Sequence, residues 1–220
     1  QRGKTGCPAL QPRNKGKIIE DSLRLKKSLI DSFFNSADCP LSSMIEESSE
    51  RANQNYGNYE VYSVSNSEGF IKQTDQFGGK EIASQNKSNY KIVGKSMFAY
   101  NPARINVGSI ARNEENNPVI VSPMYVVFAP KQSVSPTYLE CFFESSFFFK
   151  QMKSRLEGSV RQCLTFDSLS SISIKRYSTN NKQQNFMNLV YKLEKVEQIE
   201  SQILERIKEG KNYLLNSLFI

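Results

Sequence analysis

At 220 residues the chain is long enough for one substantial domain and an appendage, with a core built on 14 Phe and 10 Tyr and no Trp. Its formal net charge of +7 suits a polyanionic partner such as nucleic acid. The sequence contains no histidine, which excludes His-based triads, His-ligated metals and imidazole acid–base catalysis from this chain.

Cys7, Cys39, Cys141 and Cys163 lack the C-x-x-C spacing of a zinc-ligand set and read as reduced thiols of a cytoplasmic protein. No signal-peptide pattern and no apolar run of membrane-spanning length is visible, so the expectation is a soluble chain with no membrane partner. Residues 1–16 mix Gly, Pro, Lys and Arg without apolar periodicity and read as a disordered start or an expression remnant. Without an initiator methionine, the chain reads as a piece of something longer. Residues 17–34 place Ile18, Ile19, Leu23, Leu25, Leu29, Ile30, Phe33 and Phe34 on one broad helical face, which Asn35 and Pro40 terminate.

From Leu41 the pattern changes to short β-like runs at 59–64, 70–72 and 90–93, punctuated by Gly57, Gly69 and Gly78-Gly79. The stretch 97–128 organises the rest. Phe98-Ala99-Tyr100 enters as a strand and Asn101-Pro102 breaks it, because proline has no ladder N–H to give. Arg104-Ile105-Asn106-Val107 alternates polar and apolar, predicting a half-buried strand closed by Gly108-Ser109. Residues 112–118 have loop composition. Val119-Ile120-Val121 then resumes the sheet, followed after Ser122-Pro123 by Tyr125-Val126-Val127-Phe128. Residues 138–156 return to helical spacing through Leu139, Phe142, Phe143, Phe147, Met152 and Leu156, with Phe147-Phe148-Phe149 read as buried and Gly158 as the stop. Glu46-Glu47 and Glu114-Glu115 read as solvated loop charge rather than as ligands for Mg²⁺. Asn181–Leu218 is the longest helix candidate. Phe186, Leu189, Leu193, Val196, Ile199, Ile203, Ile207, Leu214 and Leu218 recur mostly at spacings of three and four, as in a coiled-coil seam. Such a helix, on the order of 50 Å long, exceeds what one domain needs to cover its core, so the seam predicts a partner helix.

Tyr100-Asn101-Pro102-x-Arg104-x-Asn106-x-Gly108-Ser109-Ile110, followed by Val121-Ser122-Pro123-x-Tyr125-x-Val127-Phe128, resembles the target recognition domain of type I restriction-modification specificity subunits. Tyr62-Ser63-Val64-Ser65 with Glu68-Gly69, then Tyr90-Lys91-Ile92-Val93, lie upstream in the family's order; Glu157-Gly158-Ser159-Val160-Arg161 and Ile172-Ser173-Ile174 lie downstream. The resemblance implies an α+β fold, a globular recognition domain of mixed β-sheet and helix at 35–178. It also implies the end of one spacer helix at 17–34 and a long coiled-coil-like spacer helix at 179–220. The segment 25–34 matches 210–219 with coincident Lys, Leu, Ser and Phe, in keeping with a family that alternates recognition domain and spacer twice. One departure stands out: Lys175-Arg176-Tyr177-Ser178 and Lys182-Gln183 occupy places where the family shows Ile-Pro and a further Pro before Glu-Gln.

Asn101-Pro102-Ala103-Arg104 also approaches the adenine-methyltransferase motif [DN]-P-P-[FYW], but the aromatic that would stack a flipped base is missing. No Gly-rich strand-to-helix turn for S-adenosylmethionine and no P-loop for ATP is present, so the chain is expected to be non-catalytic. The family's function would then be sequence-specific binding to one half of a bipartite target in double-stranded DNA. It would also scaffold methyltransferase and restriction subunits, which carry the S-adenosylmethionine, ATP and Mg²⁺. Ser65, Lys72, Arg104, Asn106, Ser109, Ser159, Arg161 and Gln162 are the candidates for DNA contact, on residue type and place. A homodimer through antiparallel C-terminal helices is the expected assembly. Two alternatives stay open: a coiled-coil assembly module whose β domain binds protein, and the recognition domain of a fused type II DNA methyltransferase.

Overall fold

Proline, glycine and asparagine interrupt the apolar runs so often that no described strand exceeds five residues. The computed structural model describes residues 12–66, 68–76, 86–158 and 162–218. Helix α1 (Pro12–Phe33) leads into β1 (Cys39–Pro40) and β2 (Ile45–Ser48). A hairpin of β3 (Tyr62–Ser65) and β4 (Gly69–Lys72) follows, then the single turn α2 (Gln73–Gln76). Next come β5 (Lys91–Val93), β6 (Phe98–Tyr100), β7 (Ile110–Arg112), β8 (Val119–Val121) and β9 (Val126–Pro130). Helices α3 (Pro136–Glu144), α4 (Ser146–Lys153) and α5 (Phe166–Ser170) precede β10 (Ser173–Ile174), and α6 (Asn181–Leu218) ends the described chain. The fold is α+β, as expected, and divides into a mixed domain, Phe33–Thr179, and a helical unit holding α1 up to Ser32 and α6.

In the mixed domain the main sheet has the order β2-β9-β6-β7, antiparallel throughout. Strand β6 is interior, pairing Phe98 with Phe128 and Tyr100 with Val126 on one side, and Phe98 with Arg112 and Tyr100 with Ile110 on the other. All three of its side chains are buried, the mark of a strand covered on both faces. Phe98 stacks on Phe128 at 5.3 Å, and Phe143 from α3 meets both edge-on at 5.4 and 5.8 Å. The contacts continue through Phe142 and Phe148 to Phe34 and Tyr138. Each such ring pair contributes about 0.5–1.5 kcal/mol beyond the area it buries.

The expected single helix over 138–156 is two helices, because Ser145 takes an extended conformation between them. Its hydroxyl donates to the Phe142 carbonyl and accepts from the Phe148 N–H at 3.1 Å, ending one helix and capping the next. The break lets Phe142, Phe143 and Phe148 all face the core, and the Phe147-Phe148-Phe149 run is buried at its centre as expected. Three other expectations change. Glu46 and Glu47 lie on strand β2, not in a loop; both are exposed. The run at 59–64 becomes a strand only at Tyr62, after a 3-10 turn over Asn53–Asn58. The stretch 104–107 is not a strand, for reasons given below.

The domain begins and ends side by side. Strands β1 and β10 pair Cys39 with Ile174, the Leu41 N–H donates to the Ile172 carbonyl at 2.8 Å, and the Arg176 N–H donates to the Asp38 carboxylate at 2.7 Å. Cys39, Cys141 and Cys163 are free thiols, and burial pushes the Cys39 thiol up.

In the helical unit, α6 has the bounds expected of it, and the Asn180 side chain accepts from the Gln183 N–H at 3.0 Å as its N-cap. Helix α1 begins at Pro12, inside the stretch read as disordered, with proline at a position where its missing N–H costs nothing; residues 1–11 lie outside the described residues. Lys26 on α1 pairs with Glu194 on α6 at 3.0 Å. Of the expected seam, Phe186 is buried with its neighbour Val190, Leu193 and Ile203 are half-buried, and Leu189, Val196, Ile199, Ile207 and Leu214 are exposed. Leu218 closes the helix.

Phe128→Ala removes the ring on which the central stack converges, so the domain should lose about 3–5 kcal/mol. Urea unfolding followed by circular dichroism checks this.

Candidate nucleic-acid interface

The sheet register puts Tyr100, Ile110 and Val126 at one end of the main sheet, so the 101–109 connection and the 122–125 turn emerge there together. The first is a closed, self-bonded loop. Asn101 N–H donates to the Ser109 carbonyl at 3.1 Å, Ser109 N–H to the Arg104 carbonyl at 3.2 Å, and Arg104 N–H to the Asn101 carbonyl at 3.0 Å. The Asn101 side chain accepts from the Ala103 N–H at 3.1 Å, an Asx turn that competes with strand formation. Ile105–Val107 is a 3-10 turn ended by Gly108 at φ +92°, a conformation glycine adopts without strain. The polar–apolar alternation that predicted a strand therefore has another origin: Ile105 points inward and is fully buried, while Val107 is 52 % exposed. The strand that returns along β6 is β7, which starts at Ile110.

Two further segments are tied to this loop. The main chain of Leu164 is gripped twice: its N–H donates to the Pro102 carbonyl at 3.0 Å and its carbonyl accepts from the Tyr100 hydroxyl at 3.0 Å. Burial pushes the Tyr100 phenol far above its ordinary range, so it remains a donor at any working pH. This grip places beside the loop a small hairpin closed by Glu157 and Cys163, which exchange N–H to carbonyl bonds at 2.9 and 2.8 Å, with Gly158 at φ +103°. The second tie is to β3. Val64 offers its carbonyl to the Ser109 hydroxyl at 2.9 Å and its N–H to the Tyr125 hydroxyl at 3.3 Å. The turn after β3 consequently sits against the loop, with Asn66 3.9 Å from where a Cβ on Gly108 would stand.

The candidates for DNA contact separate accordingly. Arg104 and Asn106 are both exposed on the loop, and neither side chain makes a hydrogen bond or ion pair among the described residues. Gln162, also exposed, stands at the base of the Glu157–Cys163 hairpin; Ser159 and Arg161 lie outside the described residues. Ser65, half-buried at the end of β3, has a partner of its own. Ser109 is 3 % exposed and its hydroxyl is committed to Val64, so it builds the interface instead of facing a ligand. Lys72 sits at the opposite end of the β3–β4 hairpin and pairs with Glu60 at 2.9 Å. The geometry thus gathers Arg104, Asn106 and Gln162, with Ser65 adjoining, and leaves Lys72 apart.

The other described arginines of the domain have partners. Arg112 pairs with Glu114 and Glu140, Arg51 donates to the Asn89 carbonyl, and Arg155 bonds Ser171 and the Gln151 carbonyl. Lys91 donates to the Tyr125 carbonyl at 2.7 Å, and burial, against the opposing pull of Glu47, lowers its pKa. Arg104 is set apart by this comparison. Sequence reasoning missed Val107, read as an inward strand residue, and the docking roles of Tyr125 and Ser109. The signal that could have found the loop is Asn101-Pro102 followed six residues later by Gly108, an Asx turn and a left-handed stop. A fork-shaped guanidinium and an amide, both exposed and unpaired on one short loop, match base edges and carbonyl-bearing surfaces. Among the described residues no group of three or more Cys, Asp or Glu could hold a metal ion, and no helix is long and apolar enough to cross a membrane.

Comparison with known proteins gives the fold. No protein-family model and no curated protein sequence matches the chain. Solved structures do. The S subunit of a type I restriction-modification system from M. genitalium matches with a TM-score of 0.60 at 14% identity, covering 95% of this chain and 57% of that one. The HsdS subunit from Thermoanaerobacter tengcongensis matches with a TM-score of 0.52 at 13% identity, covering 89% of this chain and 48% of that one. A chain from a structure on complex assembly and conformational transition of the type I R-M system matches at 0.51 and 12% identity, over 93% of this chain and 51% of that one. The protein has the fold of these chains and spans about half their length.

Tyr125→Phe leaves the buried Val64 N–H without its acceptor. The domain should lose about 1–3 kcal/mol, and the Val64 amide should exchange its hydrogen faster. Hydrogen exchange read residue by residue checks it.

Proposed function

We propose that this chain is a non-catalytic specificity module of a type I restriction-modification system, reading one half of a bipartite sequence in double-stranded DNA. The observation that carries the reading is the pair Arg104 and Asn106, exposed and unpartnered on a loop whose backbone is bonded shut. Arginine matches guanine and asparagine matches adenine in the major groove, and a rigid loop spares the entropy of ordering them. Two of the solved structures that share the fold are an S subunit of a type I restriction-modification system and an HsdS subunit, and the net charge of +7 suits the polyanion. In this reading Gln162 extends the contact, Ser159 and Arg161 are further DNA contacts expected from their residue type, and the chain scaffolds methyltransferase and restriction subunits. Those partners supply the S-adenosylmethionine, ATP and Mg²⁺ chemistry.

The test is binding to a duplex selected from a randomised pool. Arg104→Ala should cost about 1–3 kcal/mol for the selected sequence and much less for an unrelated duplex, with the unfolding midpoint unchanged. Equal losses on both duplexes would make Arg104 a phosphate contact; no loss on either would remove the loop from the interface.

A second reading concerns assembly and rests on the exposed apolar residues Val196, Ile199, Ile207 and Leu214 along α6. An apolar stripe of this length needs a cover. The cover proposed is a second copy of the chain, its α6 antiparallel, so that two recognition domains stand at opposite ends of paired helices. Light scattering at micromolar concentration should give a dimer, and charged substitutions at Leu193 and Ile203 should yield monomer or aggregate. A wild-type monomer would contradict this assembly.

A further inference from the structure

The exposed residues of the 101–109 loop include one that polar recognition does not explain. Val107 is 52 % exposed although Ile105, two residues earlier in the same 3-10 turn, is fully buried. A lone exposed valine on a protein surface is ordinary. This one is held in place. Its N–H donates to the Arg104 carbonyl at 3.1 Å, the Gly108 N–H donates to the Ile105 carbonyl at 2.9 Å, and the Ser109 and Asn101 bonds close the loop on either side. Gly108 is in the left-handed region, and Asn66 lies 3.9 Å from where its Cβ would stand. A branched apolar side chain is therefore presented to solvent next to two side chains with unpaired hydrogen-bonding groups, Arg104 and Asn106, at a set position.

We infer that Val107 is a specificity-determining residue that contacts the C5-methyl group of a thymine in the major groove. This rests on the reading of the loop as a DNA interface. The chemistry selects the target. Phosphates and sugars offer an apolar isopropyl group nothing, whereas the thymine methyl is an apolar feature of the major groove and lies in the same plane as the acceptors that arginine and asparagine read. A loop bonded at both ends favours a surface contact over a wedge driven between bases, since wedging requires the loop and the duplex to deform. Arg104 and Asn106 would then fix the register, and Val107 would distinguish thymine from cytosine at a neighbouring base pair.

The test separates the methyl group from everything else in the site. The chain selects its preferred duplex from a randomised pool, and each thymine of that duplex is replaced singly by uracil, which lacks only the methyl. Wild-type protein should show one position at which uracil weakens binding about fourfold, the loss of one buried methyl contact. Val107→Ala should bind the thymine and uracil duplexes alike at that position while keeping its preference for the selected sequence over an unrelated one. Val107→Ser, which removes both γ-methyl groups, serves as the variant should Val107→Ala lower the unfolding midpoint; its uracil penalty should also shrink. Selective binding with no uracil penalty at any position, or a penalty that survives both substitutions, overturns the assignment of Val107 and leaves the DNA reading standing. A chain that selects no duplex overturns the DNA reading itself, and this inference with it.

Discussion

The candidate interface depends on how strand β6 ends. The strand is three residues long, buried on both faces and bonded on both edges, so its last residue, Tyr100, is fixed by the core and its position is not adjustable. Pro102 then prevents the strand from continuing, and the chain must turn where it stands. From that point Tyr100 and Pro102 together hold the Leu164 peptide by its carbonyl and its N–H. A segment more than sixty residues away is thereby set beside the turn, without any side chain of the turn being used to hold it. That leaves the side chains of Arg104 and Asn106 free of structural duty.

The same division of labour runs through the neighbouring elements. Ser109 and Tyr125 lend their hydroxyls to the two polar groups of Val64, docking the β3–β4 hairpin. Lys91 is consumed by the Tyr125 carbonyl and Arg112 by two carboxylates. In a loop built this way, backbone and buried hydroxyls carry the architecture, and under the proposed function the exposed side chains of Arg104 and Asn106 carry the recognition. A variant of a hydroxyl should then act through stability and one of a fork through binding, and the two classes do not mix. Rigid backbone also lowers the entropic cost of recognition, because the loop has nothing left to order when a ligand arrives.

The long helix was legible in the sequence to the residue, since a period of three and four sustained over 38 residues competes with nothing else. Strands β6 and β8 were equally plain, being short apolar runs between breakers. The sheet's partners were not. Strand β7 carries Ile110, Ala111 and Arg112, half-buried and ending on a charge, so it lacks the apolar run that marks β6 and β8, and β1 contains a proline tolerated because the pairing is only two residues long. The candidate site was legible at Arg104 and Asn106 but in the wrong conformation: alternation over four residues fits a strand, whereas the 3-10 turn that forms buries Ile105 and leaves Val107 exposed. Ser109 and Tyr125 were singled out by motif, and burial explains their place better than ligand contact. The split at Ser145 was hidden because serine within a helical pattern gives no warning that its hydroxyl will cap both neighbours.

The proposed function makes a spatial claim: DNA meets the end of the main sheet from which the 101–109 loop emerges. Hydrogen exchange of the whole chain, with and without a duplex selected from a randomised pool, tests it directly. The account predicts slowed exchange in 101–109, in 157–164 and in the turn following β3, with the opposite end of the β3–β4 hairpin around Lys72 unchanged. Slowed exchange confined to the Lys72 end, or to α6 alone, would contradict it.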